Sequence, residues 1–333
     1  MDSGKSGKKK GISRKILEIV CIIIAIILVF PVLFVIFHHI YLRIEAGKFV
    51  RPGQMVETEN GKMHVYSKRG PAGTPTYVFL DAFGGGSAYY DFKMLWLPLS
   101  ETASIATIDY LGYGMSDSTD AERTVQNIAA ELEMALQATG LPGPYTFVSH
   151  SMGGLYAAGY ALQHPDKVAA LVMTDNTPPA LSLIETSELD MLKSMKPRND
   201  FMKFTGLVRF LGNKAVVPGL TEAEIDANTY HSRKMGLGDT VMNEMANTPA
   251  NAAYLAENRV DDSIPLLVLL SAQNEELSKN MGWGRTWVEF HEADLTNNPN
   301  SRIEMFNTGH YIHRAEPEKV VETIQGFSAG LVR

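Results

Sequence analysis

One cysteine, Cys21, is all that the chain contains, which excludes a disulfide within one chain. The sequence has no H-E-x-x-H segment and no paired cysteines, so we expect no metal site. It also lacks the glycine fingerprint of a dinucleotide-binding fold. The glycines at 84–86 are not followed by the Lys-Ser/Thr pair of a phosphate loop. We therefore expect neither a metal nor a cofactor.

Positive charge is concentrated at the beginning of the chain. The net charge is −7, but residues 1–15 hold six basic residues against the single acid Asp2, so the remainder carries −12. Nucleic-acid binding depends on a basic face that neutralises phosphates. An acidic body argues against such a partner, and the oligomeric state is left open by the sequence.

The segment from residue 16 to residue 40 is the longest apolar run of the chain. Ile19–Phe37 contains no charged residue. As a helix, the 22 residues from Ile16 to Phe37 would reach about 33 Å, enough to cross a hydrocarbon core of about 30 Å. The run is too long for a signal peptide and ends without a small-residue cleavage site. We predict a single-pass membrane anchor at 16–40, with 1–15 as a basic cytoplasmic tip and the catalytic part outside the cytoplasm.

After a linker at 41–54, short apolar runs alternate with helical stretches. This alternation predicts an α/β fold with a mostly parallel central sheet and helices on both faces. The strand signal disappears between Pro178 and Ser263, where the residues favour helix. We predict a core formed by 55–178 and 264–333, with a helical cap at 179–263. Methionines of the cap could line an adaptable apolar pocket; they are Met191, Met195, Met202, Met235, Met242 and Met245.

Ser151 stands in a pattern typical of an activated nucleophile. An apolar strand ends, the turn Ser149-His150-Ser151-Met152-Gly153 follows, and a helix rich in small residues begins. This is the strand–turn–helix context of the G-x-S-x-G nucleophile elbow, with serine in place of the first glycine. A serine hydroxyl needs an adjacent base to act as a nucleophile. We predict that His310 is this base, because it follows a glycine and the last strand, and we regard His313 as its rival.

These motifs together give the chain a close resemblance to the α/β-hydrolase family over roughly 55–330. The resemblance is carried by Ile108–Asp117, the elbow at Ser149–Gly154, His164–Val168 and the C-terminal Gly309-His310 with Glu316-Pro317-Glu318. The order serine, acid, histidine along the chain fits the family. A cap between the sixth and seventh strands is also what the resemblance implies.

Two carboxylates compete for the place of the triad acid. The family usually has it after the strand that follows the cap, where this chain has Asn274 and then Glu275. The second position known in the family corresponds to Asp175. We predict Asp175 and keep Glu275 as the alternative. The resemblance also implies an oxyanion hole formed by the backbone N–H groups of Phe83 and Met152, although Asp81-Ala82 replaces the usual His-Gly.

Three functions are compatible with these residues. The first is hydrolysis of a small carboxylic ester, with a lipid-like substrate suggested by the anchor and the methionines. The second is a peptidase resembling proline iminopeptidases, or an acyltransferase. The third is a non-catalytic, membrane-tethered binding protein, because a fold alone does not fix a function.

Overall fold

The structure is a computed structural model that describes residues 5–182 and 187–331. The first four residues of the predicted basic tip, residues 183–186 of the predicted cap and the last two residues of the predicted core lie outside this range. The chain forms two units. One comprises the residues up to Val50 together with Arg198–Gly212, and the other comprises Arg51–Pro197 and Asn213–Arg333.

The first unit is built on one long helix, α1 (Lys5–Ala46). Its part from Arg14 to Ala46 is long and apolar enough to cross a membrane. The helix continues six residues into the segment that the sequence assigned to a linker. Residues Arg198–Gly212, from the predicted cap, pack in the same unit.

The second unit contains an eight-stranded sheet in the order β1-β2-β4-β3-β5-β6-β7-β8. The strands are β1 (Gln54–Thr58), β2 (Gly61–Lys68), β3 (Thr76–Leu80), β4 (Ser104–Ile108), β5 (Tyr145–His150), β6 (Val168–Thr174), β7 (Leu266–Ser271) and β8 (Arg302–Phe306). The first two strands join antiparallel, and every pairing from β4 to β8 is parallel. The predicted fold class, a mostly parallel sheet with helices, is confirmed.

Helices cover both faces of the sheet. After α1 they are α2 (Ala88–Asp91), α3 (Lys93–Leu99), α4 (Val125–Thr139), α5 (Gly153–Gln163), α6 (Pro179–Ser182), α7 (Ser187–Thr205), α8 (Val208–Leu211), α9 (Glu222–Met235), α10 (Asp239–Glu257), α11 (Ala272–Ser278), α12 (Trp287–Asp294), α13 (Ile312–Ala315) and α14 (Pro317–Leu331), with a 3-10 turn at Pro165–Lys167. Helices α6–α10 therefore lie between β6 and β7 in the chain.

Alternate residues of each strand serve the two faces. Val78 and Leu80 of β3 face a core shared with α4, α5 and α12, whereas Tyr77 and Phe79 face a core shared with α2, α3 and α14. This period of two is the geometry of a strand buried on both sides. It explains why the central strands read as continuous apolar runs in the sequence.

Strand β1 was not predicted from the sequence. Its residues, Gln54–Thr58, alternate weakly and contain one buried side chain, that of Val56. The strand forms by pairing with β2, where Gln54 faces Val65 and Thr58 faces Gly61. An edge strand with one apolar residue inside gives little periodic signal, and its pairing partner supplies the stabilisation instead.

Candidate active site

Ser151 lies in the sharp turn between β5 and α5. Its φ angle is +51°, a strained value for a residue with a side chain. A Cβ atom on Gly153, two residues later, would lie 2.6 Å from the carbonyl oxygen of Asp81 and 2.8 Å from that of Leu80. The glycine therefore allows α5 to begin directly against the end of β3, which keeps the serine turn and the loop after β3 together.

Ser149 stands in place of the first glycine of the elbow motif, and its hydroxyl has a hydrogen-bond partner. The side chain is fully buried, and its Oγ donates to the carbonyl oxygen of Val172 at 3.4 Å. The Ser149 carbonyl accepts a hydrogen bond of 2.9 Å from Thr174 Oγ1. Strand β6 thus provides partners for the additional hydroxyl, and the tight turn is retained.

His310 follows β8 and contacts Asp175, which follows β6. The distance between His310 Nδ1 and Asp175 Oδ2 is 2.8 Å. The imidazole is 35% exposed, whereas the carboxylate is completely buried. With Nδ1 donating to the carboxylate, the other ring nitrogen, Nε2, is left to accept a proton.

The Asp175 carboxylate has an unusually full set of donors. Oδ1 accepts from the Ser271 backbone N–H at 2.9 Å and from Trp287 Nε1 at 2.8 Å. Oδ2 accepts from Ser271 Oγ at 2.8 Å and from Asn274 Nδ2 at 2.7 Å, in addition to His310. Asp175 itself has a φ angle of +48°, so a strained backbone and five hydrogen bonds together fix the direction of the carboxylate.

The two rival residues of the sequence analysis point elsewhere. Glu275 Oε2 accepts the backbone N–H of Val288 at 3.0 Å, at the beginning of α12. His313 is buried, and its Nε2 donates to Asp91 Oδ2 at 3.0 Å. Neither side chain is therefore placed as a member of the Ser151–His310–Asp175 group.

Asn274 occupies the position where the family usually has the acid. Its amide nitrogen bonds Asp175 Oδ2 and lies 3.3 Å from His310 Nδ1. The loop after β7 thus still reaches the histidine, but it contributes an amide that donates to the carboxylate.

The loop after β3 approaches the serine turn with Phe83. The side chains of Phe83 and Met152 line the same cavity as Ser151. At the start of this loop the buried Asp81 accepts the N–H of Ala82 at 2.7 Å through Oδ1. Burial, and then the neighbouring Asp91 carboxylate, raise the pKa of Asp81 well above its ordinary value.

Asp91 links this loop to the segment that follows His310. It accepts from His313 Nε2 and, at 2.5 Å, from Arg314 Nε. Burial alone would raise its pKa, but His313 and Arg314 hold the pKa of Asp91 below its usual range. The pKa values of the two neighbouring buried carboxylates therefore shift in opposite directions, because double ionisation of such a pair is unfavourable.

His150 packs against the imidazole of His310. Its ring centroid lies 4.5 Å from that of His310 and 4.6 Å from that of His313. Its Nδ1 is 2.8 Å from the Thr174 carbonyl oxygen. Burial and the two neighbouring imidazoles lower the pKa of His150 well below its usual value, so the ring packs as a neutral group.

A cavity of about 560 Å³ opens over Ser151 and His310. Most of its lining is apolar; besides the residues already named it includes Leu181, Leu189, Met245, Leu277, Met281, Trp283 and Trp287. Of the six cap methionines, Met245 lines the cavity, whereas Met191 and Met195 are exposed. Chain periodicity did not reveal which methionines line the cavity, and Met281, beyond the predicted cap, also lines it although it is 52% exposed.

Trp287 and Ser271 are the site residues that the sequence did not single out. Trp287 is 112 positions from Asp175, and its indole gives no motif. Among residues 5–182 and 187–331, no group of three or more His, Cys, Asp or Glu side chains is placed to share a metal ion.

A sequence profile for the alpha/beta hydrolase fold matches residues 75–195. The chain is 30% identical over 181 residues to YbdG, an uncharacterized Bacillus subtilis protein; the match covers 54% of this chain and 55% of YbdG, about half of its length. It is 26% identical over 259 residues to YqjL, an uncharacterized protein of the same organism, covering 77% of this chain and 84% of YqjL.

Solved structures share the architecture at low sequence identity. Est816, described as an N-acyl homoserine lactone degrading enzyme, superposes with a TM-score of 0.58 at 19% identity. The superposition covers 82% of this chain and all of Est816. A similarity at this level establishes a common fold.

Proposed function

The chain has the α/β-hydrolase fold, and on that premise we propose that it is a membrane-anchored serine hydrolase that cleaves a carboxylic ester. Ser151 is the nucleophile, His310 the general base and Asp175 the acid. Phe83 and Met152 supply the oxyanion hole. The reaction proceeds through an acyl-enzyme.

One observation carries this proposal. Ser151 and His310 line one cavity, and the imidazole is held from behind by the buried Asp175 at 2.8 Å. A nucleophile, a base and a group that orients the base are the minimum set for acyl transfer. The strained φ of Ser151 adds support, because it is typical of a nucleophile elbow. Ser151 also lies at the N-terminal end of α5, where the helix dipole favours developing negative charge.

The chemical steps follow from this arrangement. His310 Nε2 takes the Ser151 hydroxyl proton while Oγ attacks the carbonyl carbon of the ester. The backbone N–H groups of Phe83 and Met152 donate to the resulting oxyanion. As the intermediate collapses, the carbon–oxygen bond to the alcohol breaks and His310 returns the proton to the departing oxygen. Water, deprotonated by His310, then attacks the acyl-serine. The bond between the acyl carbon and Ser151 Oγ breaks, His310 returns the proton to Oγ, and the carboxylic acid leaves.

The cavity supports an apolar acyl group as the substrate. Leucine, methionine and tryptophan side chains form most of its wall, and the polar side chains of the lining are those of Ser151, Thr177, Thr248, Asn274 and His310. Such a lining binds hydrocarbon and leaves few partners for a charged substrate. A lipid-derived ester is the class we propose.

The membrane anchor is α1 over 16–40. Basic residues precede the apolar run, which favours a cytoplasmic N-terminus and an extracytoplasmic catalytic unit. The length and apolar composition of Arg14–Ala46 support a span.

The test uses the full chain in detergent micelles beside Ser151→Ala. We expect a fluorophosphonate probe to label the native chain alone, and p-nitrophenyl esters to be hydrolysed at a rate that falls at least about a thousandfold in the variant. Labelling without ester turnover would favour the peptidase or acyltransferase alternative. A folded native chain that resists the probe would favour the binding protein.

A further inference from the structure

His38 is a polar residue near the end of the apolar run, yet its side chain is only 4% exposed. Its Nε2 lies 3.1 Å from the carbonyl oxygen of Lys203. Its Nδ1 accepts a hydrogen bond of 3.1 Å from Arg209 Nε. A polar ring on a spanning helix is costly unless its hydrogen-bonding atoms have partners. Residues 198–212 provide both of them.

Two aromatic contacts join residues 198–212 to different positions along α1. The ring of Phe210 lies 6.0 Å from that of Phe34, and the ring of Phe204 lies 5.4 Å from that of His39. Since Ile19–Phe37 carries no charge, Phe34 lies inside the apolar run. If α1 spans the bilayer, Phe210 is at the depth of hydrocarbon.

Arg209, the neighbour of Phe210, extends the opposite way. Its guanidinium lies 4.9 Å from the centre of the Tyr41 ring and forms an ion pair with Glu45 near the C-terminal end of α1. An arginine that reaches toward the membrane surface while its apolar neighbour reaches toward the hydrocarbon is the arrangement of an interfacial segment.

The same segment presents four large apolar side chains to the outside. Phe201 is 60% exposed, Phe204 61%, Phe210 70% and Leu211 68%. They fall within 11 residues, in α7 and α8. Contiguous apolar surface of this kind marks a membrane or partner contact in a folded protein.

We propose that residues 198–212 of the cap form a second membrane-contacting segment, with these four side chains at the boundary between lipid headgroups and acyl chains. The proposal rests on the anchor in the proposed function. The occupant is the bilayer surface, because the segment packs in one unit with α1, whose exposed apolar side chains would face lipid across the proposed span.

The experiment places a fluorophore at single positions of the full chain. In a Cys21→Ser background, Phe204→Cys and Phe210→Cys are labelled with a nitrobenzoxadiazole maleimide and reconstituted into phosphatidylcholine–phosphatidylglycerol vesicles. Leu97→Cys is the matched control, since Leu97 is 49% exposed on α3 of the other unit. We expect lipids with a nitroxide at acyl carbon 5 to quench positions 204 and 210 at least about threefold more than position 97.

Equal quenching at positions 204, 210 and 97 would overturn the proposal. Blue-shifted emission without lipid quenching would also overturn it and would indicate that a second copy of the chain covers the patch. A label on the native Cys21 tests the anchor. If lipids with a nitroxide at carbon 12 fail to quench the label on Cys21, both the membrane anchor and the second membrane contact are contradicted. If they quench the Cys21 label while labels at positions 204 and 210 stay unquenched, only the second membrane contact is contradicted. No substrate is needed, so a failure of the esterase proposal leaves this result standing.

An activity measurement tests the consequence. We expect the double variant Phe204→Gln/Phe210→Gln to hydrolyse a soluble short-chain ester at the native rate. Its rate on a long-chain ester carried in the vesicles should fall about tenfold, because surface delivery is weakened. Unchanged rates on both substrates would contradict the role of the segment in delivery.

Discussion

The indole N–H of Trp287 donates a hydrogen bond of 2.8 Å to Oδ1 of Asp175, on the carboxylate oxygen that does not touch His310. The tryptophan thus holds the carboxylate from the side opposite the imidazole. It also lines the cavity over Ser151. One side chain both shapes the substrate space and orients the acid of the proposed triad.

We predict that Trp287→Phe lowers kcat about tenfold and the free energy of unfolding by about 1–3 kcal/mol, because a buried carboxylate oxygen loses a donor. Ester kinetics and thermal unfolding of the full chain in detergent measure both effects. Trp283→Phe is the control, since Trp283 lines the same cavity but is not a donor to Asp175. Equal losses in the two variants would show that the indole acts through cavity shape alone.

Exchange of the acid distinguishes the two carboxylates considered from the sequence. Asp175→Asn should lower kcat by about 10⁴, because an amide no longer holds His310 in the productive tautomer. Glu275→Gln should leave kcat within about twofold, since the Glu275 carboxylate bonds the N-terminal turn of α12. A severe loss in Glu275→Gln with an active Asp175→Asn would reverse the assignment.

Asp81 offers a test of the loop that carries Phe83. Burial and the neighbouring Asp91 carboxylate raise the pKa of Asp81 well above its ordinary value, which favours its uncharged form. Asp81→Asn, which keeps the shape of the side chain and carries no charge, should therefore preserve activity to within about threefold. Asp81→Ala should lower kcat at least about tenfold with little change in KM, since the bond to the Ala82 N–H is lost and the oxyanion donor shifts. If the two variants behave alike, Asp81 does not position the loop.

His231 predicts a loss of stability on acidification. Burial lowers its pKa from 6.5 to about 4. Between these values the unfolded chain binds more protons than the folded chain, so the free energy of unfolding falls as the pH falls through this window. Between pH 7 and pH 5 the contribution is about 2 kcal/mol.

Thermal unfolding in detergent at pH 7 and pH 5 measures this effect. The decrease in Tm between the two values should be smaller for His231→Gln than for the native chain. An identical decrease would show that other groups dominate the acid response.

The sequence was sufficient for the sheet wherever burial on both faces left a continuous apolar run, as in β5 and β7. It did not reveal β1, because the half-exposed segment Gln54–Thr58 is held by its partner strand. The candidate site likewise contains residues that local motifs predict and residues that only the folded chain brings together. Ser151 and His310 lie in local motifs, whereas Trp287 reaches Asp175 only through the fold.

The choice between Asp175 and Glu275 shows most clearly what the sequence alone could not predict. Both carboxylates follow strand ends at the same edge of the sheet, and their order in the chain fits equally well. The decision depends on side-chain direction. Asp175 has a positive φ and points into a buried set of donors, whereas Glu275 is the fourth residue of α11 and its carboxylate points toward α12. Sequence spacing contains neither direction.

Asn274 and Asp175 share one hydrogen bond of 2.7 Å, and both lie within 3.3 Å of the same imidazole nitrogen. Aspartate and asparagine codons differ by a single base. Two such base changes, Asp175→Asn and Asn274→Asp, would therefore transfer the negative charge from the loop after β6 to the loop after β7 while the shapes of both side chains remain. A lineage carrying this pair has a short mutational path between the two acid positions of the fold, with the nucleophile, the base and the strands left untouched.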